Sequence, residues 1–132
     1  MQSPVNICWF RRDLRLDDQA ALYHALKEGL PVLPLFIFDR HILDELEDKT
    51  DRRVEFIHLA LQEMQKELQK LGSGMEVRYG TPENIFPQLM KEYKVNRVFT
   101  NHDYEPYAKN RDQQIAELLQ KQGVGFQTYK DQ

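Results

Sequence analysis

Cysteine is nearly missing from this chain: Cys8 stands alone among 132 residues. One thiol inside an apolar run forms no internal disulfide and no cysteine-based metal site, and such usage suits a reducing compartment. Long hydrophobic runs are missing too. The longest, around residues 30–38, falls far short of the roughly 20 residues that a membrane helix needs. Residues 1–6 lack the basic start and apolar core of a signal peptide. The expectation is a cytoplasmic protein without membrane contact. Basic charge is also scarce, with 18 Lys and Arg against 21 Asp and Glu, net −3. A duplex-binding surface normally carries a basic face that displaces counterions from phosphates, so direct nucleic-acid binding by this domain is not expected. His24, His41, His58 and His102 are scattered without metal-ligand spacing, and no metal site is expected. No glycine-rich phosphate fingerprint follows the first strand, no Gly-x-Ser-x-Gly elbow occurs, and Cys8 has no base beside it. Self-contained catalytic machinery is therefore absent from the pattern.

What remains is the composition of an ordinary soluble globular domain, 41% hydrophobic and 30% charged. A chain of this size fits one domain and buries roughly two-thirds of its unfolded surface without a staple. Strand and helix signals alternate throughout. Residues 5–10 read as the first strand. Asp18 opens a helix to about Glu28, which Gly29 stops. Residues 32–38 are almost wholly apolar, as a strand covered on both faces should be, with Pro34 suggesting a bulge. The next helix starts at Thr50 and carries one apolar stripe through Val54, Ile57, Leu61, Met64, Leu68 and Leu71 before Gly72 and Gly74 end it. Residues 75–79 form a third strand. Thr81-Pro82-Glu83 is a helix start, combining a capping hydroxyl, proline at the first position and an acid in the first turn. Ile85, Phe86, Leu89, Met90 and Tyr93 follow on that helix. Residues 97–100 make a fourth strand, residues 107–122 a helix stopped by Gly123, and residues 126–130 a fifth strand. The alternation implies an α/β fold: a Rossmann-like five-stranded parallel sheet of order 3-2-1-4-5 with helices on both faces. No linker interrupts it, and the fifth strand ends near the last residue, as at a domain edge.

In such a sheet ligands bind beyond the carboxyl ends of the strands, where the strand order reverses. With this order the crevice lies between strands one and four. The two segments least like ordinary connections follow those strands. The first, Trp9-Phe10 and then residues 11–18, sets three arginines and three aspartates beside an aromatic pair. It is either a salt-bridged loop bracing the strand end, or a place where Arg11 or Arg12 meets an anionic or carbonyl group of a ligand. In the second, Asn101 to Tyr107, Tyr104, Glu105 and Tyr107 can form a flat slot. One carboxylate would there accept hydrogen bonds from a planar heterocycle. The same residues equally make a helix entry, with Glu105 near the helix N-terminus and Pro106 setting the turn.

Both segments also carry a resemblance. Trp9-Phe10-Arg11-Arg12-Asp13-Leu14-Arg15-Leu16, then Asp18 and Ala21-Leu22, resembles the amino-terminal signature of photolyases and cryptochromes. Asn101-His102-Asp103-Tyr104-Glu105-Pro106-Tyr107-Ala108 with Arg111-Asp112 resembles their second signature. Gly80-x-Pro82-Glu83 and Arg53-x-x-Phe56 fit as well, so the likeness runs over residues 5–131. The Arg12-Asp13 pair is more like microbial cyclobutane-dimer photolyases and plant-type cryptochromes than the animal branch. Gln19 departs from the family's usual asparagine.

The resemblance implies that residues 1–132 form the antenna-binding α/β domain of a deoxyribodipyrimidine photolyase. That lyase uses near-ultraviolet or blue light and reduced FAD to split cyclobutane pyrimidine dimers in DNA. It further implies that FAD and damaged DNA are held by a helical C-terminal domain that packs against this one and lies outside this chain, which alone would be inactive. The antenna pigment would be methenyltetrahydrofolate, or a deazaflavin or flavin. Trp9, Phe10 and Arg11 would line one side of its pocket, and Asn101, Tyr104 and Glu105 the other, with Glu105 bonding the pterin of a folate. Two alternatives stand beside this: a cryptochrome photoreceptor without repair activity, and a stand-alone small-molecule-binding α/β module.

Overall fold

A computed structural model of the chain describes residues 4–10, 20–38, 52–70, 74–101 and 106–129, with the side chains of 52–57 and 106–108 left out. Five strands, β1 (Pro4–Phe10), β2 (Val32–Phe38), β3 (Glu76–Tyr79), β4 (Lys94–Asn101) and β5 (Gly125–Tyr129), form one sheet of order β3-β2-β1-β4-β5. Every pairing is parallel. The described helices are α1 (Ala20–Lys27), α2 (Arg52–Lys70), α3 (Pro82–Glu92) and α4 (Pro106–Lys121). This is the α/β sheet that the sequence pattern implies, with the order reversing between β1 and β4.

Alternation along the strands divides the core into two layers. Ile7, Trp9, Leu35, Ile37 and Val98 face α3 and α4, packing on Ile85, Phe86, Leu89, Ile115 and Leu119. Cys8, Phe10, Phe36, Phe38 and Phe99 face α1 and α2, packing on Ala21, Ala25, Leu61, Met64 and Leu68. The central strands are covered on both faces, which is why their sequences are nearly unbroken apolar runs. Three positions of the expected stripe on α2 are buried as predicted; Val54, Ile57 and Leu71 lie outside the described side chains, as do the start at Thr50 and the Gly72 stop.

Two local expectations change. β2 carries Pro34 without a bulge, because its register with β1 runs unbroken from Val32 to Phe36. On its other side, pairing with β3 begins only at Leu35, one residue past the proline that cannot donate. The irregularity falls instead in the β1–β4 ladder, between Val5 and Asn6. At α3 the Thr81 hydroxyl makes no cap hydrogen bond; its main-chain carbonyl accepts from Asn84 and Ile85, and Pro82 sets the first turn. The end of α4 matches expectation. Gly123 takes φ +75, Val124 N–H donates to Leu119 O at 2.9 Å and Gly123 N–H to Gln120 O at 3.0 Å. That is a Schellman turn, closed by Leu119 and Val124 in the same core layer.

At the edges, polar ties replace apolar cover. Arg78 on β3 donates to Glu76 and to Glu92 at the end of α3, each at 2.7 Å. Gly125 on β5 leaves room for the Arg97 stem: a Cβ there would stand 2.9 Å from Arg97 Cγ. Arg97 in turn reaches Glu28 at 2.8 Å. Gly125→Ala is expected to push the Arg97 stem aside and cost about 1–3 kcal/mol in urea unfolding. An unchanged midpoint would show that Arg97 swings away freely.

Candidate functional site

The reversal between β1 and β4 brings two strand ends side by side. β1 contributes Trp9 and Phe10, β4 contributes Thr100 and Asn101, and a hydrogen bond from Thr100 Oγ1 to the Trp9 carbonyl at 2.8 Å ties the two ends together. All four side chains are buried. Adjacent residues on a strand point to opposite faces, so Trp9 and Phe10 do not line one wall. Trp9 turns toward α3 and α4, edge-on to Phe86 at 5.1 Å. Phe10, 1% exposed, belongs to the layer under α1. Asn101 points the same way as Phe10: its Oδ1 accepts from the Ala21 N–H of α1 at 3.0 Å. Of the six residues expected at a pigment pocket, Arg11, Tyr104 and Glu105 lie outside the described residues. The other three are buried at the adjoining strand ends, Trp9 in the layer under α3 and α4, and Phe10 and Asn101 on the side of α1.

One residue packed against these strand ends is not among the six expected at a pocket. Arg111, on the second turn of α4 and 8% exposed, holds its guanidinium 5.2 Å from the centre of the Trp9 ring and 3.6 Å from Asp112. A cation over an indole face is favourable, more so when desolvated. The sequence offers a signal in hindsight: Ile115 and Leu119 mark the buried face of α4, and Arg111 stands four residues before Ile115 on the same face.

The layer under α1 continues sideways as a stack. Tyr129, register partner of Asn101, lies flat on His24 at 4.1 Å and parallel to Phe99 at 6.2 Å. Burial lifts the Tyr129 phenol above its ordinary value of 10.0; the Glu28 carboxylate adds to the rise and Arg97 opposes it. The folded protein thus holds this proton more tightly than the unfolded chain. Its contribution is complete below pH about 10 and is lost as pH rises through the folded value. Tyr129→Phe should therefore lose less stability than the parent between pH 8 and 11, measured by urea unfolding. Parallel curves would remove the phenol as the cause.

No helix among the described residues is long and apolar enough to cross a membrane. The described strand ends supply aromatic and amide groups at the switch point, and the groups expected to hydrogen-bond the pigment, Arg11 and Glu105, are outside the described set.

The family model for DNA photolyase matches residues 6–132. A deoxyribodipyrimidine photo-lyase of Synechococcus is 36% identical over 124 residues, covering 94% of this chain and 25% of its own length. Cryptochrome-2 of Gallus gallus is 34% identical, covering 90% of this chain and 20% of its own. Among solved structures, an archaeal photolyase from Sulfolobus tokodaii, described with two FAD molecules, superposes with a TM-score of 0.82 at 32% identity. It covers 96% of this chain and 29% of its own. The chain thus spans a fifth to under a third of the length of these relatives.

Proposed function

Since the chain belongs to the DNA photolyase family, we propose that it is the antenna-pigment domain of a deoxyribodipyrimidine photolyase acting on cyclobutane pyrimidine dimers. The observation that carries this reading is the reversal of strand order between β1 and β4, in a chain related over nearly its whole length to a photolyase. Light-driven electron transfer to the dimer is the chemistry that reduced FAD supplies when bound. FAD and damaged DNA are assigned to a helical C-terminal domain packed against this one, consistent with the small share of each relative that the chain covers. The part left to this chain's own residues is to hold a light-collecting pigment and exclude water from it. Arg11 is assigned to a carbonyl or anionic group of the pigment and Glu105 to its ring N–H donors, with Tyr104 along its face. Methenyltetrahydrofolate fits that donor pattern. A flavin is supported by the Sulfolobus tokodaii relative, whose second FAD is described as implying a novel light-harvesting cofactor. A deazaflavin shares the same planar chemistry.

Cryptochrome similarity, 34% against 36% for the photolyase, favours a second reading as the same domain of a photoreceptor without repair activity. A spectrum of the intact protein purified in the dark, followed by repair of a thymine-dimer oligonucleotide under blue light, separates the two. Flavin bands with repair support the lyase. Flavin bands without repair support the photoreceptor, and a colourless intact protein overturns both. The chain of 132 residues alone is expected to bind methenyltetrahydrofolate weakly or not at all. Micromolar binding that survives Glu105→Ala would remove the assigned pocket.

A further inference from the structure

Asn101 is the candidate whose contacts speak most directly about its role. Its side-chain carbonyl accepts from the N–H of Ala21, the second residue of α1, across 80 residues of sequence. The first N–H groups of a helix have no partner within it and are normally satisfied by a residue just before the helix. Here an acceptor for α1 comes from the end of β4, so the seating of this helix is a tertiary contact. The rest of α1 agrees. Ala21 and Ala25 place only methyl groups against the sheet and are fully buried. His24, one turn along, lies on Tyr129, the neighbour of Asn101 in the next strand. Just past the other end, Glu28 accepts from Asn6 Nδ2 at 3.1 Å and from Arg97 at 2.8 Å. A helix of 8 residues is thereby tied at both ends. Thr100 and Asn101 then do paired work: the first ties β4 to the exit of β1, the second ties β4 to the entry of α1.

We propose that Asn101 is a positioning residue, which fixes the start of α1 on the end of β4 and so sets the shape of the crevice, and that it does not touch the pigment. This rests on the reading of the crevice as a pigment site, and it changes the role that family likeness gives to Asn101.

The test uses the intact protein with Asn101→Ala and Asn101→Asp. The aspartate keeps an oxygen acceptor for Ala21 and places its charge favourably at a helix N-terminus. Amide hydrogen exchange at Ala21 is read together with fluorescence titration of methenyltetrahydrofolate, and of FAD added to protein whose C-terminal FAD site is already filled, and with the absorption maximum of whichever binds. Asn101→Ala should speed exchange at Ala21 about tenfold, the loss of one cap-like hydrogen bond, and weaken pigment binding by a similar factor. Asn101→Asp should restore both to within about threefold and leave the absorption maximum in place. Weakened binding with Ala21 protection intact would overturn the proposal, as would an aspartate variant that restores exchange but not affinity, or that shifts the pigment's spectrum. If the parent protein binds neither probe nor a deazaflavin, the pigment reading fails and the role in shaping a pigment site fails with it. Ala21 exchange then reports only the helix seating.

Discussion

Phe86→Ala is expected to lower the unfolding free energy by about 3–5 kcal/mol, a large part of the roughly 5–15 kcal/mol that holds a domain of this size together. Phe86 has no exposed surface and sits where α3 crosses the sheet, among Ile85, Leu89, Ile115 and Leu119. Its ring meets Trp9 edge-on at 77°, an arrangement that matches the positive ring edge to the negative ring face. Truncation leaves a void bounded by strand on one side and two helices on the other, and packed walls of this kind relax only partly. Trp9 is the only tryptophan, so its emission reports the same event: a red shift is expected as the indole loses its neighbour. Phe86→Leu should recover most of the stability, since volume is the larger part of the loss. A loss below about 1 kcal/mol would mean that α3 collapses into the space. The functional consequence follows from position. Trp9 stands at the end of β1, beside the proposed site, so a loosened α3 would reach that site without any substitution in it.

The sequence pattern carried the fold well where burial was two-sided. β2 was legible to its boundaries, despite Pro34, because both of its faces are covered and nearly every residue is apolar. The opening of β4 was not. Lys94 and Asn96 are exposed and only Val95 between them packs on the core, one apolar position being too little pattern to mark a strand. The strand-order reversal was legible, but the direction of the side chains beside it was not. The reversal between β1 and β4 followed from the alternation of elements, yet Trp9 and Phe10 were assigned to one wall, although strand period sends neighbours to opposite faces. A motif read as a string hides that. Contacts joining distant segments were hidden for another reason: that Asn101 would reach Ala21, or Arg111 the Trp9 ring, depends on helix seating that no local pattern encodes.

The polar cluster at the far end of the sheet belongs to the same class, and it supplies the second large effect. Asn6 is wholly buried at the register shift of β1. Its Nδ2 donates to Glu28 Oε1 at 3.1 Å, and its Oδ1 accepts from Asn96 at 3.1 Å. Asparagine serves there because it offers a donor to one neighbour and an acceptor to the other. Asn6→Asp replaces the donor with an oxygen against a carboxylate and is expected to cost about 3–5 kcal/mol at neutral pH, the scale of an uncompensated buried charge. Burial and the facing Glu28 both raise the folded pKa of the new carboxyl. The variant's deficit should therefore be smallest near the unfolded aspartate value of about 3.9 and grow as pH rises through the folded value. Protonated, the carboxyl donates to Glu28 much as the amide did. Arg97, which donates to Glu28, and Asn96 are the groups that temper the repulsion. Urea unfolding of parent and variant at pH 5 and pH 7.5 measures the difference directly. A deficit independent of pH would assign the loss to shape, and a loss below about 1 kcal/mol would mean that water reaches Asn6. Because this cluster sits at the opposite strand ends from the crevice, the folded variant should bind pigment as the parent does. That separates what holds the domain together from what shapes its site.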